Sequence, residues 1–116
     1  MIKINDIKHY IKNFKRIYNI EDIDWERVSI KFLLSEDFIE AYKDYLNWNK
    51  ISMYQPMSEC FIDRHSTLVN WIYVIKKNNL SDEFIIQHLN YMNESCKIYL
   101  INIRGINSGL IIKYNV

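Results

Sequence analysis

The chain has 116 residues, about half of them apolar, with nine Tyr, five Phe and three Trp, a composition that excludes a disordered segment. Fifteen Lys and Arg against fourteen Asp and Glu leave a formal net charge of +1, so no global field points to nucleic acid or to an anionic membrane. Cys60 and Cys96 lack metal-ligand spacing and, with no signal peptide visible and no apolar run long enough to span a bilayer, read as free thiols of a cytoplasmic protein.

One domain over residues 1–116 is the expectation at this length. With only two Gly and one Pro, the chain favours short helices closed by side-chain caps over long loops. Ile, Asn, Lys and Tyr are abundant, a bias typical of AT-rich coding sequence.

The first element is an amphipathic helix within residues 1–20. Ile7, Tyr10, Ile11, Phe14 and Ile17 fall at helical spacing, with Asn5 or Asp6 as its cap. Its other face carries Lys8, Lys12, Lys15 and Arg16, and the acidic cluster Glu21, Asp22, Asp24 and Glu26 follows. The helix is expected to cap whatever comes next.

What comes next, over residues 21–93, is a repeat. Trp25, Trp48 and Trp71 are spaced by 23 residues. So are Leu34, Met57 and Leu80; Ser35, Ser58 and Ser81; Phe38, Phe61 and Phe84; and Ile39, Ile62 and Ile85. Asp24, Asn47, Asn70 and Asn93 keep the same register. A fixed period in this range marks a stacked repeat architecture.

Each unit holds two helix starts. In the first, Ser35, Ser58 or Ser81 is the N-cap, with acidic residues in the first turn. Leu34 with Ile39, Met57 with Ile62 and Leu80 with Ile85 have the spacing of a hydrophobic staple. In the second, Asp24, Asn47 or Asn70 caps, and the staples are Ile23 with Val28, Leu46 with Ile51 and Val69 with Val74. Helices are predicted near 24–33, 35–46, 48–55, 58–69, 71–78 and 81–92, with Pro56 ending one of them.

Helices this short are marginal alone and must stack. Phe38, Ile39, Tyr42 and Leu46 form one apolar face; Phe61, Ile62, His65 and Val69 the next; Phe84, Ile85, His88 and Met92 the third. The tryptophans are expected to lie between layers. The expected fold is mainly α, a small right-handed α-solenoid of helix pairs.

Over residues 94–116 the repeat decays. Asn93 is in register, but Glu94 replaces the tryptophan and Lys97 occupies the staple column. Gly105 and Gly109 separate two runs rich in Ile and Tyr, which reads as a β-hairpin, 97–103 with 109–115, packed on the last helices or pairing its edge with another chain. A helix over 94–103 is the competing reading.

Leu34, Ser35, Glu36, Phe38, Ile39, Asn47, Trp48, Ile51, Ser52, Tyr54 and Gln55 carry a resemblance. Residues 23–93 resemble a degenerate tandem repeat of uncharacterised proteins from giant viruses, phages and AT-rich bacteria. The unit at 70–80 departs from it, with Val74 and Ile75 for Ile-Ser and no Tyr-Gln. The resemblance implies a helical binding scaffold in viral or mobile genomes, without a catalytic function. An inhibitor or modulator of a host defence complex, for example an anti-CRISPR protein, is the kind of role it suggests.

Chemistry-bearing residues are few. His65 and His88 share a column with Tyr42 above them and Cys60 nearby. A metal there needs a third ligand, and a partly buried aromatic ladder is the simpler reading. His9 reads as an exposed residue of the first helix. There is no phosphate loop, and the Ser-acidic pairs are helix starts. Cys60 and Cys96 read as packing residues.

No enzyme, cofactor or metal is therefore expected. The expected activity is binding of another protein, through Tyr45, Asn49, Tyr54, Arg64 and Tyr73, because aromatic residues and Arg dominate interface hot spots. The second reading is an RNA- or ribonucleoprotein-binding module using Lys8, Lys12, Lys15 and Arg16, with Lys76 and Lys77 extending the patch. No membrane partner is expected. The chain is expected to be a monomer, or a dimer through its C-terminal strands.

Overall fold

The computed structural model describes residues 23–106 and Gly109. The expected N-terminal helix with Lys8, Lys12, Lys15 and Arg16, and all but the first residue of the expected second hairpin arm, lie outside these residues. Among the described residues there are seven α-helices, one 3-10 helix and no strand. They are α1 (Trp25–Lys31), α2 (Glu36–Ala41), α3 (Trp48–Tyr54), α4 (Glu59–Arg64), α5 (Trp71–Lys77), α6 (Asp82–Gln87) and α7 (Glu94–Asn102), with the 3-10 turn Leu89–Tyr91 after α6. No helix among them is long and apolar enough to cross a membrane. The chain groups into two units, Met1–Gln55 and Pro56–Val116.

Both kinds of helix start form as the sequence dictates. Ser35, Ser58 and Ser81 accept the amides of Phe38, Phe61 and Phe84 at 3.1, 3.2 and 3.2 Å. Asp24 and Asn47 accept from Arg27 and Lys50, and Asn93 accepts from Cys96, whereas Asn70 stands at the start of α5 without a side-chain cap bond. Each such cap is worth about 1 kcal/mol. The staple residues are buried in every pair, Leu34, Ile39, Ile51, Ile62, Val74 and Ile85 to 2 % exposure or less. Fully burying such a side chain stabilises by about 1.5–3 kcal/mol. Burial therefore outweighs capping, as it must for helices of six or seven residues.

The first helix of each pair is shorter than predicted. It ends at Ala41, Arg64 and Gln87, and the cap residues Tyr42, His65 and His88 have φ near −115°. Tighter bonds then carry the chain on, Tyr45 to Tyr42, Leu68 to His65 and Tyr91 to His88. The breaks at Tyr42 and His65 free backbone carbonyls just ahead of Trp48 and Trp71. The indole N–H of Trp48 donates to the Lys43 carbonyl at 2.9 Å, and that of Trp71 to the Ser66 carbonyl at 3.0 Å. Two of the tryptophans thus cap the preceding segment, a polar role beyond packing.

In the first unit α1 packs on α3. Gln55, 1 % exposed, ends α3 and turns its carboxamide inward. It accepts the Leu34 amide at 2.8 Å and donates to the carbonyls of Ser29 and Phe32 at 2.8 and 2.7 Å. Ser29 and Ser52, both fully buried, donate their hydroxyls to the carbonyls of Trp25 and Trp48 one turn back. Trp25 lies against Phe38, Tyr42 and Tyr45.

In the second unit α5 packs on α7. Asn78 stands 23 residues after Gln55 and accepts the Met57 amide at 2.9 Å, just as Gln55 accepts that of Leu34. Ser81 donates its amide and its hydroxyl to Glu59 at 2.7 and 3.1 Å. Arg104 donates to the Leu80 carbonyl. Each of these bonds ties one helix pair to the next. Trp71 lies against Phe84, His88 and Tyr91, so in both units a tryptophan fills the space between successive pairs.

The first arm of the predicted hairpin is a helix. Glu94–Asn102 continues the repeat as a further second-type helix, started by Asn93 and inwardly anchored by Cys96 and Leu100. Lys97 keeps the inward column of Val28, Ile51 and Val74. Its side chain is only 12 % exposed, with its aliphatic stem packed and its ammonium 4.0 Å from Glu94. Gly105, at φ +77°, is the helix stop that was read as a hairpin turn. The Ile106 amide donates to the Leu100 carbonyl at 2.9 Å and both side chains are buried, so the chain folds back onto the end of α7 after Gly105. A dimer through paired C-terminal strands loses its first strand.

Candidate functional site

The residues expected to bind a partner are placed unevenly. Tyr45 is 43 % exposed and stacks on Trp25, with ring centroids 5.4 Å apart. Tyr54, at the end of α3, is also exposed, as is Asn49 on the first turn of α3. Asn49 and Tyr54 are five residues apart on one helix, which puts them on different faces. Arg64 is exposed, with its guanidinium 5.5 Å from the Phe61 ring centroid. Tyr73 is half-buried on α5. No hydrogen bond, ion pair or ring contact joins Arg64 to Tyr73.

Two exposed residues escaped the sequence reading although the period contains them. Leu68 and Tyr91 follow Tyr45 at 23-residue intervals and are 45 and 44 % exposed. Tyr91 stacks on Trp71 with centroids 5.8 Å apart, repeating the Tyr45–Trp25 stack of the first unit. The column varies in identity, Tyr-Leu-Tyr, which hid it among the stricter columns.

The histidine column is a packing feature. His65 lies against Phe61, and His88 against Phe84 and Trp71. The His88 Nδ1 is 2.6 Å from the Phe84 carbonyl and its Nε2 is 2.7 Å from Asp63 Oδ1. A carbonyl only accepts, so Nδ1 carries a hydrogen. When the ring is doubly protonated, Nε2 donates to the Asp63 carboxylate. Among the described residues no group of three or more His, Cys, Asp or Glu is placed to hold a metal ion.

The cysteines differ. Cys96 is 2 % exposed, and burial pushes its thiol up from the ordinary value against the opposing hydrogen bond from Asn93. Cys60 is exposed and is not the packing residue the sequence suggested, because it faces away from Phe61 and Ile62 on α4.

Two concavities stand out. One, of about 420 Å³, is lined by Asp24, Glu26, Arg27, Ile30 and Lys31, whose charges cancel. The other, of about 340 Å³, lies in the second unit between the C-terminal ends of α5 and α7. Lys76, Lys77 and Arg104 line it with Asn78, Asn79, Tyr99, Ile75 and Ile103. No carboxylate is among these residues. Lys76 and Lys77 were read as an extension of the N-terminal basic face, whose residues lie outside the described part of the chain.

No protein family, curated protein or solved structure matches the chain.

Proposed function

We propose that the chain is a non-enzymatic helical-repeat scaffold that binds another protein through side chains standing between its core columns. In this reading the helix pairs stack as a small right-handed α-solenoid. The observation that supports it most is the pair of exposed tyrosines, Tyr45 and Tyr91, each laid flat on a tryptophan. A ring held in place before binding loses little conformational entropy on binding, which is what makes aromatic anchors effective. Both rings leave more than two fifths of their surface in water at the same repeat position, where a partner can reach them.

The resemblance to viral and phage repeat proteins directs the search for the partner to complexes of a host cell, defence complexes first. The test is a capture experiment with the intact chain and with the Tyr45→Ala, Tyr91→Ala double variant, circular dichroism confirming equal helicity. The partner retained by the wild type should be lost with the variant. Equal retention by both overturns the reading.

A further inference from the structure

We infer that the concavity between the ends of α5 and α7 binds a nucleotide, its phosphate on Arg104 and Lys77 and its base against Tyr99. Among the described residues three cations and no carboxylate line this space of about 340 Å³, within the range of small-ligand sites. Two of the cations are not repeat features: Lys76 stands where earlier units have Ile30 and Met53, and Arg104 stands in the column of Ser35, Ser58 and Ser81, whereas Lys77 shares its column with Lys31 and Tyr54.

Arg104 is the decisive residue. Its Nη2 is fixed on the Leu80 carbonyl and lies 3.5 Å from Asp82 Oδ1, and its side chain is 21 % exposed. The guanidinium is therefore oriented before any ligand arrives. Its Nη1 and Nε have no partner among the described residues, and a guanidinium edge of this kind matches the oxygens of a phosphate. The Lys77 side chain forms no ion pair among the described residues and is exposed beside it. Part of its charge offsets the C-terminal end of α5, but a helix of seven residues does not balance two adjacent lysines and an arginine.

The opposite wall selects the ligand class. Tyr99, Ile75 and Ile103 give the concavity an aromatic and aliphatic side. The Lys76 ammonium lies 5.4 Å from the Tyr99 ring centroid, so a base stacking on that ring takes the place of a cation that can turn to its phosphate. An anionic group beside a stacking surface is the pattern of a nucleotide, free or within a single RNA strand.

The intact chain is titrated with inorganic phosphate, AMP and a short oligouridylate, read by backbone amide shifts and calorimetry. AMP should shift the amides of Lys77, Asn79, Tyr99 and Arg104 and bind more tightly than phosphate. Tighter, salt-sensitive binding of oligouridylate identifies an RNA strand as the source, and comparable binding of AMP a free nucleotide. Lys77→Glu, at an exposed position that leaves the fold intact, should weaken AMP about tenfold, the worth of one charge-assisted hydrogen bond. Tyr99→Leu should weaken AMP and leave phosphate unchanged. Absence of shifts with all three probes, or AMP affinity untouched by Lys77→Glu, overturns the assignment. Equal affinity for phosphate and AMP overturns its nucleotide part.

Discussion

The side-chain oxygen of Gln55 accepts the backbone amide of Leu34 at 2.8 Å, twenty-one residues earlier in the chain. The same carboxamide donates to two carbonyls near the end of α1, so one side chain satisfies three backbone groups. Gln55→Leu keeps much of the volume and strands all three. The expected loss is about 2–5 kcal/mol, read as a lower urea midpoint. Gln55→Glu separates the roles: it keeps the acceptor for Leu34 but sets a carboxylate against two carbonyls, and it should be no milder.

Asp63 and His88 form a side-chain link within the second unit. His88 is 5 % exposed but the aspartate side chain is 63 % exposed, so solvent screens the pair and keeps its worth small. Asp63→Ala should cost about 1 kcal/mol. His88→Leu also removes the stacking on Phe84 and Trp71 and should cost more. A double-mutant cycle between the two should return a coupling of about 1 kcal/mol, and a coupling near zero means the link is without energetic value.

Gly105 holds φ +77° with nothing within 4 Å of a Cβ placed there. Gly105→Ala therefore meets backbone strain and no clash. The expected destabilisation is about 1 kcal/mol, with thermal unfolding as the readout.

Thiol labelling separates the cysteines. One equivalent, at Cys60, should react at once with an aromatic disulfide reagent, and Cys96 only after denaturation. The raised Cys96 value also fixes the sign of a pH effect. Above the ordinary thiol value of 9.0 the unfolded chain releases a proton that the folded chain still holds, so stability falls as pH rises through that range. Cys96→Ala should flatten this part of the urea-midpoint profile.

The repeat was legible because its signals are local. A serine three residues before a phenylalanine amide, and a leucine or methionine five before an isoleucine, need no knowledge of the rest of the chain. The break at Tyr42, His65 and His88 was not legible, since nothing in those side chains forbids a helix. At Tyr42 and His65 it becomes intelligible only once the indoles of Trp48 and Trp71 are seen to take the freed carbonyls. Residues 97–103 misled because Ile, Tyr and Leu in a row satisfy a strand as readily as a buried helix. The decisive signals, Asn93 before them and Gly105 after, were both in view.

Of the candidate site, Tyr45 was legible as an exposed aromatic, whereas its stacking on Trp25 was not. The concavity at Lys76, Lys77 and Arg104 was hidden for another reason. It joins residues 27 positions apart, from Lys77 to Arg104, and rests on a segment that was expected to be a strand.

The bonds made by Gln55, Asn78 and Arg104 all point backwards along the chain, each completing a junction 21 to 24 residues earlier. During synthesis each junction must therefore wait for residues not yet made, roughly one to four seconds at ordinary elongation rates. The order of assembly is then imposed by the direction of translation, and a nascent chain carries one incomplete junction at its growing end until the closing residue leaves the ribosome.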